Sequence, residues 1–172
     1  PYGLRGTTSF NVAAFEHYPA ILEACMARRW DFVCHGIYNT RYQWNLEEEA
    51  ERAEIADCVD TFKRLAGRPF AGWLSPALSN TINTPDLLAD AGIKYYCDCL
   101  HDDQPVARQV RKGRLMTIPY SIDLNDEPVK LQGHEGDEFE RMIRDAFDVL
   151  YREGEASGRV MCVAVHPYIS GQ

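Results

Sequence analysis

The chain has 172 residues, enough for one domain with a sizeable core, and its 26 Asp and Glu against 18 Lys and Arg leave a net charge of −8. That acidic balance, with no basic stripe interleaved with aromatics, speaks against nucleic acid and anionic membrane surfaces as partners. No apolar run approaches the roughly 20 residues of a membrane span. No secretory signal opens the sequence, which says little because the first residues already read as the interior of a domain, and the cytoplasmic setting expected rests on the cysteines. The six cysteines (Cys25, Cys34, Cys58, Cys97, Cys99 and Cys162) fall inside apolar patterns rather than in Cys-x-x-Cys pairs. They read as reduced, buried small hydrophobes, not as a zinc or disulfide framework.

In chain order, residues 7–14 read as a first strand and residues 19–29 as a helix with Ile21, Leu22, Cys25 and Met26 on one side. Phe32, Val33 and Cys34 form a short buried strand ending on His35, where Gly36 lets the backbone turn away. Asn45, with Glu48 three positions on, has the form of a capping box for a long helix that Gly67 and Pro69 end. A third strand over residues 71–74 opens into a loop rich in Ser, Pro, Asn and Thr, then a short helix over 85–91 stopped by Gly92. Further strands are expected over 93–97 and 115–118. Phe139, Met142, Ile143, Ala146, Phe147, Leu150 and Tyr151 keep a helical spacing through residues 137–153, and residues 160–165 read as a sixth strand ending on His166.

Strands alternating with helices imply parallel β/α units and an α/β fold. The first strand starts close to residue 1 and the sequence ends just after a strand. One domain over 1–172 is therefore expected, an incomplete portion of a longer β/α barrel truncated at both ends.

Polar clusters follow the strands: His35 with Asn39 and Arg41; Trp73 and Ser75; Asp98 with His101, Asp102 and Asp103; Ser121 and Asp123; and His166. In parallel β/α folds these strand ends share one rim, so the clusters can converge, and a rim crowded with His and Asp suits proton transfer, metal binding or both. Each member also has a duller reading. A lone His at a strand end can simply be bonded to backbone, Asp102 and Asp103 before Gln104-Pro105 can cap a turn or a helix near Pro105, and a Trp is more often core than platform. Asn39 stands four residues after His35, where a second His would give a fair zinc signal; Asn is a poor zinc ligand, so another group completes the site or no metal binds.

These residues carry a resemblance. Ser9-Phe10-Asn11-Val12, Asp31 to Gly36, Gly72-Trp73, Leu87 to Tyr96, Asp98 with Asp102-Asp103-Gln104-Pro105, Ile118 to Ser121 through Asn125-Asp126, and His166-Pro167-Tyr168 with Gly171 follow one another as in the polysaccharide deacetylase superfamily, the NodB-homology fold. Within it the chain resembles the branch of the metal-independent bacterial allantoinases. The resemblance implies a distorted (β/α)7-type barrel and hydrolysis of a non-peptide C–N bond. In the deacetylases of this fold an Asp pair on the first strand supplies base and metal ligand, His-x-x-x-His supplies two more ligands, and a late His is the general acid. His35 matches the first His and the sole tentative metal position, and His166 matches the late one. The Asp-pair strand is not in this sequence, Asn39 replaces the second His, and Trp73 lies near where the deacetylases carry an arginine.

The expected activity is therefore hydrolysis of a ureide or amide of a small, nitrogen-rich substrate, with no cofactor, although a divalent metal such as zinc is the variant to test. His166 is expected to protonate the departing nitrogen and His35 to hold the carbonyl oxygen. Asp103 and Asp102 would bind substrate N–H groups, Trp73 would stack on a flat face, and Asn39 and Ser75 would line the site. The alternatives are a metal-dependent deacetylase of N-acetylated sugars and an inert binding module of the same fold. A small-molecule substrate and a homo-oligomer are the partners expected.

Overall fold

The computed structural model describes residues 3–171. They fold as two compact units, one running up to Asp98 with Ala107–Thr117, the other made of Cys99–Val106 and the residues from Ile118 on.

In the first unit, four short strands lie side by side and parallel: β1 (Thr7–Phe10), β2 (Asp31–Cys34), β3 (Gly72–Trp73) and β4 (Tyr95–Tyr96). A further strand, Leu115–Thr117, pairs parallel with β4, and Val106–Arg108 takes the edge beyond it. In chain order these last two are β6 and β5. The register aligns Phe10, Cys34, Trp73, Tyr96 and Thr117 in one row. The residue that follows each strand therefore emerges at the same sheet edge. That row sets up the site: His35 follows β2, Leu74 and Ser75 follow β3, and Cys97 and Asp98 follow β4. A Cβ at Gly72 would lie 2.3 Å from the Tyr95 ring on the neighbouring strand, so any larger residue there would force that ring to move.

The helices of this unit are α1 (Val12–His17), α2 (Pro19–Ala27), α3 (Glu48–Ala66) and α4 (Thr84–Asp90). Behind the sheet is a cluster of phenylalanines. Phe10 stacks on Phe15 with ring centres 4.8 Å apart, and Phe62 of α3 lies 4.8 Å from Phe10 and 5.1 Å from Phe32. Each ring so buried contributes about 1.5–3 kcal/mol, and Ile55, Cys58 and Phe62 put one face of α3 wholly into this core.

Several elements differ from expectation. The first strand stops at Phe10, since Asn11 starts α1 and its amide reaches the carbonyl of His35. Asn45 is not a cap but sits at φ 63°, and α3 begins at Glu48 with Glu48, Glu49 and Glu51 in a first turn that favours carboxylates. Gln104-Pro105 leads into β5 rather than a helix.

The second unit contains α5 (Asp126–Leu131), α6 (Gly136–Glu153) and α7 (Pro167–Ser170). The capping box expected at Asn45 is found instead at α6, between Glu135 and Glu138. Residues 160–165 make no strand. Only Ala164 bridges, parallel to Asn125, with its N–H given to Leu124 and its carbonyl taken by the Asp126 N–H. Its partner segment turns at once into α5, so no ladder can extend. Among the described residues no helix is long and apolar enough to cross a membrane.

Candidate active site

His35 is tethered on three sides. Its N–H donates to Phe10 O at 2.6 Å, its carbonyl accepts from Asn11 Nδ2, and its ring Nδ1 stands 2.6 Å from Leu74 O. A carbonyl oxygen can only accept, so Nδ1 carries the hydrogen. Gly36, at φ +74°, lets the chain leave the strand directly after the ring, with Pro76 3.2 Å from where a Cβ would be.

The peptide that holds this ring is itself held. Ser75 N–H donates to Asp98 Oδ1 at 2.7 Å, and Ser75 Oγ lies 2.6 Å from Asp98 Oδ2. Trp73 Nε1–H donates to the same Oγ at 3.0 Å, and Gln43 Oε1 is 2.6 Å from it. Gln43 in turn gives its backbone N–H to Ser79 Oγ at 3.0 Å. Burial pushes the Asp98 carboxyl up to about 6, against the two hydrogen bonds from Ser75 that favour its charge. Trp73 and Ser75 are fully buried. Trp73 therefore presents no ring face to a ligand here, and Ser75 is occupied in the network. Asn39 is exposed in a turn.

In the second unit, His166 caps α7 and its ring Nδ1 lies 2.6 Å from Asp126 Oδ1. Asp126 is 3% exposed, whereas the His166 side chain is 31% exposed. The other carboxylate oxygen accepts from the His166 N–H at 2.8 Å and from Ser170 Oγ at 2.6 Å. Burial by itself raises the Asp126 carboxyl, but the bonds from Ser170 and His166 outweigh it and hold the group below its ordinary range. An ionised Asp126 fixes the hydrogen on Nδ1 and directs Nε2 outward, with Glu127 Oε2 3.9 Å away. Asp102 is exposed, its Oδ1 accepting from Asp103 N–H at 2.7 Å in the manner of a turn cap, while Asp103 O accepts from Val160 N–H at 2.7 Å. The His101 ring nitrogens are taken up by the carbonyls of Cys99 and Gln104, at 2.8 and 3.2 Å.

Asp126 is the residue the sequence reading left without a role. A local signal existed: Asn125 Oδ1 accepts from Glu127 N–H at 3.0 Å, and Asn-Asp-Glu-Pro is the expected opening of a helix. That signal marks α5 but not the histidine that α5 serves, 40 residues further on.

The residues in hand do not assemble a metal site. Among the described residues no group of three or more His, Cys, Asp or Glu is placed to hold an ion. His35 gives one nitrogen to a carbonyl, and Asn39 stands exposed on a turn.

No family model and no curated protein matches the chain. Solved structures do. The Puue allantoinase is 25% identical with a TM-score of 0.85, over 96% of this chain and 56% of its own. A probable polysaccharide deacetylase from Pseudomonas aeruginosa PAO1 is 26% identical, again at TM-score 0.85, over 96% of this chain and 57% of its own. The chain has the NodB-homology fold of the polysaccharide deacetylase superfamily. It resembles the superfamily's allantoinase-like branch, and it spans a little over half the length of these NodB-homology relatives. A CE4 family pseudoenzyme from Bacillus anthracis, at 9% identity and TM-score 0.56, shares the NodB-homology fold alone.

Proposed function

We propose that the protein to which this chain belongs hydrolyses a non-peptide C–N bond, in an amide or ureide of a small nitrogen-rich molecule. The observation that carries this reading is the pairing of His166 with the buried, ionised Asp126. A carboxylate on Nδ1 fixes the tautomer and orientation of the ring and leaves Nε2 as the nitrogen that can pass a proton, which is the requirement for a general acid. Likeness to an allantoinase and to a polysaccharide deacetylase supports the same class of bond.

In this mechanism water attacks the carbonyl carbon, giving its proton to a general base in the rest of the protein, the C–O bond forms and charge collects on the carbonyl oxygen. His35, its Nδ1–H committed to Leu74, faces that oxygen through Nε2, which has to carry a proton of its own in this step to donate; one such preorganised donor is worth about 3 kcal/mol in the transition state. The tetrahedral species then collapses, the C–N bond breaks, and Nε2–H of His166 passes its proton to the leaving nitrogen. Asp103 and Asp102 accept hydrogen bonds from substrate N–H groups, a preference that suits a ureide better than a sugar. A metal-dependent sugar deacetylase is the weaker reading because His35 and Asn39 do not build a ligand set.

The test is a hydrolysis screen of the full-length protein across ureides, formamides and N-acetyl sugars, with and without chelator. Turnover of a ureide or amide that survives chelation is the expected result. Turnover confined to N-acetyl sugars and abolished by chelator would replace this reading with the deacetylase one.

A further inference from the structure

Ser75 Oγ has one hydrogen, yet two oxygens lie 2.6 Å from it, Gln43 Oε1 and Asp98 Oδ2, while Trp73 Nε1–H already donates into it. All four side chains are buried. The network is not fully satisfied, since Ser75 has one hydrogen for two oxygens and Gln43 Nε2 is buried with no hydrogen-bond partner among the described residues, and a buried polar network is expensive to disturb. Its geometrical result is to fix the peptide between Leu74 and Ser75. On one side, Ser75 N–H is held by Asp98 Oδ1 at 2.7 Å; on the other, Leu74 N–H donates to Cys34 O at 2.9 Å. The carbonyl between these two anchors is the oxygen 2.6 Å from His35 Nδ1.

We infer that Asp98 and Ser75 are positioning residues for His35: through the Leu74 carbonyl they hold its ring in the Nδ1–H form and fix where Nε2 points. Neither touches the reacting atoms. The inference rests on the reading of His35 as the group that faces the carbonyl oxygen, but its first test does not depend on activity.

The experiment is two-bond proton–nitrogen NMR of the full-length protein labelled with nitrogen-15 histidine, following the neutral His35 ring. The wild type should show a single Nδ1–H form. Asp98→Ala should give a mixture of the two tautomers, and Ser75→Ala, the gentler change, a smaller admixture. Asp98→Asn should restore the single form, because its amide oxygen still accepts from Ser75 N–H and its NH2 can donate to Ser75 Oγ. In kinetics, Asp98→Ala should lower kcat by about 10-fold or more with KM within about two-fold, since the loss falls on a transition-state contact.

A His35 ring that stays wholly Nδ1–H in the folded Ala variants overturns the inference; if Asp98→Ala does not fold, Ser75→Ala alone decides. Mixed tautomers with unchanged kcat would uphold the positioning and remove His35 from the proposed mechanism, so the two failures are distinguishable.

Discussion

The two histidines are held in different ways. His35 gives Nδ1–H to a neutral backbone carbonyl, and His166 gives its own to a buried carboxylate. Both arrangements choose a tautomer, but only the second sets a charged partner against the ring. A ring held by a carbonyl is aimed; the ring held by Asp126 is aimed and has a carboxylate beside it. In the reaction proposed above, this difference would give His35 the orienting part and His166 the delivery of the proton.

Removing the proton carrier should have the largest effect. His166→Ala in the full-length protein should lower turnover by about 10²- to 10⁴-fold with the circular-dichroism spectrum unchanged. An activity that survives the substitution would break the contrast at once, because the carboxylate-held ring would then have no proton to deliver.

Next in size is a term in stability. Asp98 rises from an ordinary 3.8 to about 6 in the folded chain, so between those values the native state holds a proton that the unfolded state has lost. Its contribution is therefore present below about pH 4 and is lost as pH rises through 6, a change of about 3 kcal/mol. Urea unfolding of wild type and Asp98→Asn at pH 4 and pH 7 measures it: the advantage of wild type over the variant should fall by that amount. Asp126 has the opposite sign. Its lowered carboxyl adds stability that is present above the ordinary carboxylate range and disappears as pH falls through its folded value. An Asp126→Asn series should therefore lose the acid-side decline that wild type shows.

A smaller kinetic effect sharpens the comparison further. Asp126→Asn preserves size and one acceptor but removes the charge, so kcat should fall by about 10- to 100-fold while KM changes little, less than the loss of the ring itself. If the activity is instead indifferent to this charge, His166 is only positioned, and the two histidines are alike after all.

Much of the first unit could be read from the sequence because its signals are local. An apolar run, a histidine and a glycine place His35 at a strand end, and Ser75 and Asp98 follow their own strands at the same edge. What those residues do there was not legible. Trp73 and Ser75 look like site residues in sequence, and only packing shows them closed into a network with Gln43. In the second unit the decisive pair is 40 residues apart, and α5 is six residues long, too short for periodicity to announce it. Residues 160–165 have the composition of a strand, but composition cannot supply a neighbour with free ladder groups.

The long helices extend the contrast to stability. α3 sends Ile55, Cys58 and Phe62 into the phenylalanine core, whereas α6, with the most regular apolar spacing in the sequence, has no buried residue. Its Phe147 and Tyr151 rings stack on each other at 5.7 Å while remaining 54% and 74% exposed. Amphipathic spacing thus reports what a helix could bury, not what it does bury. Tyr151→Ser should cost no more than about 0.5 kcal/mol in urea unfolding of this chain, since little area leaves water when the ring is in place. Phe62→Ala, the matched control on α3, should cost about 3–5 kcal/mol. Equal costs would show that the two helices are equally committed to their units and would remove this part of the contrast.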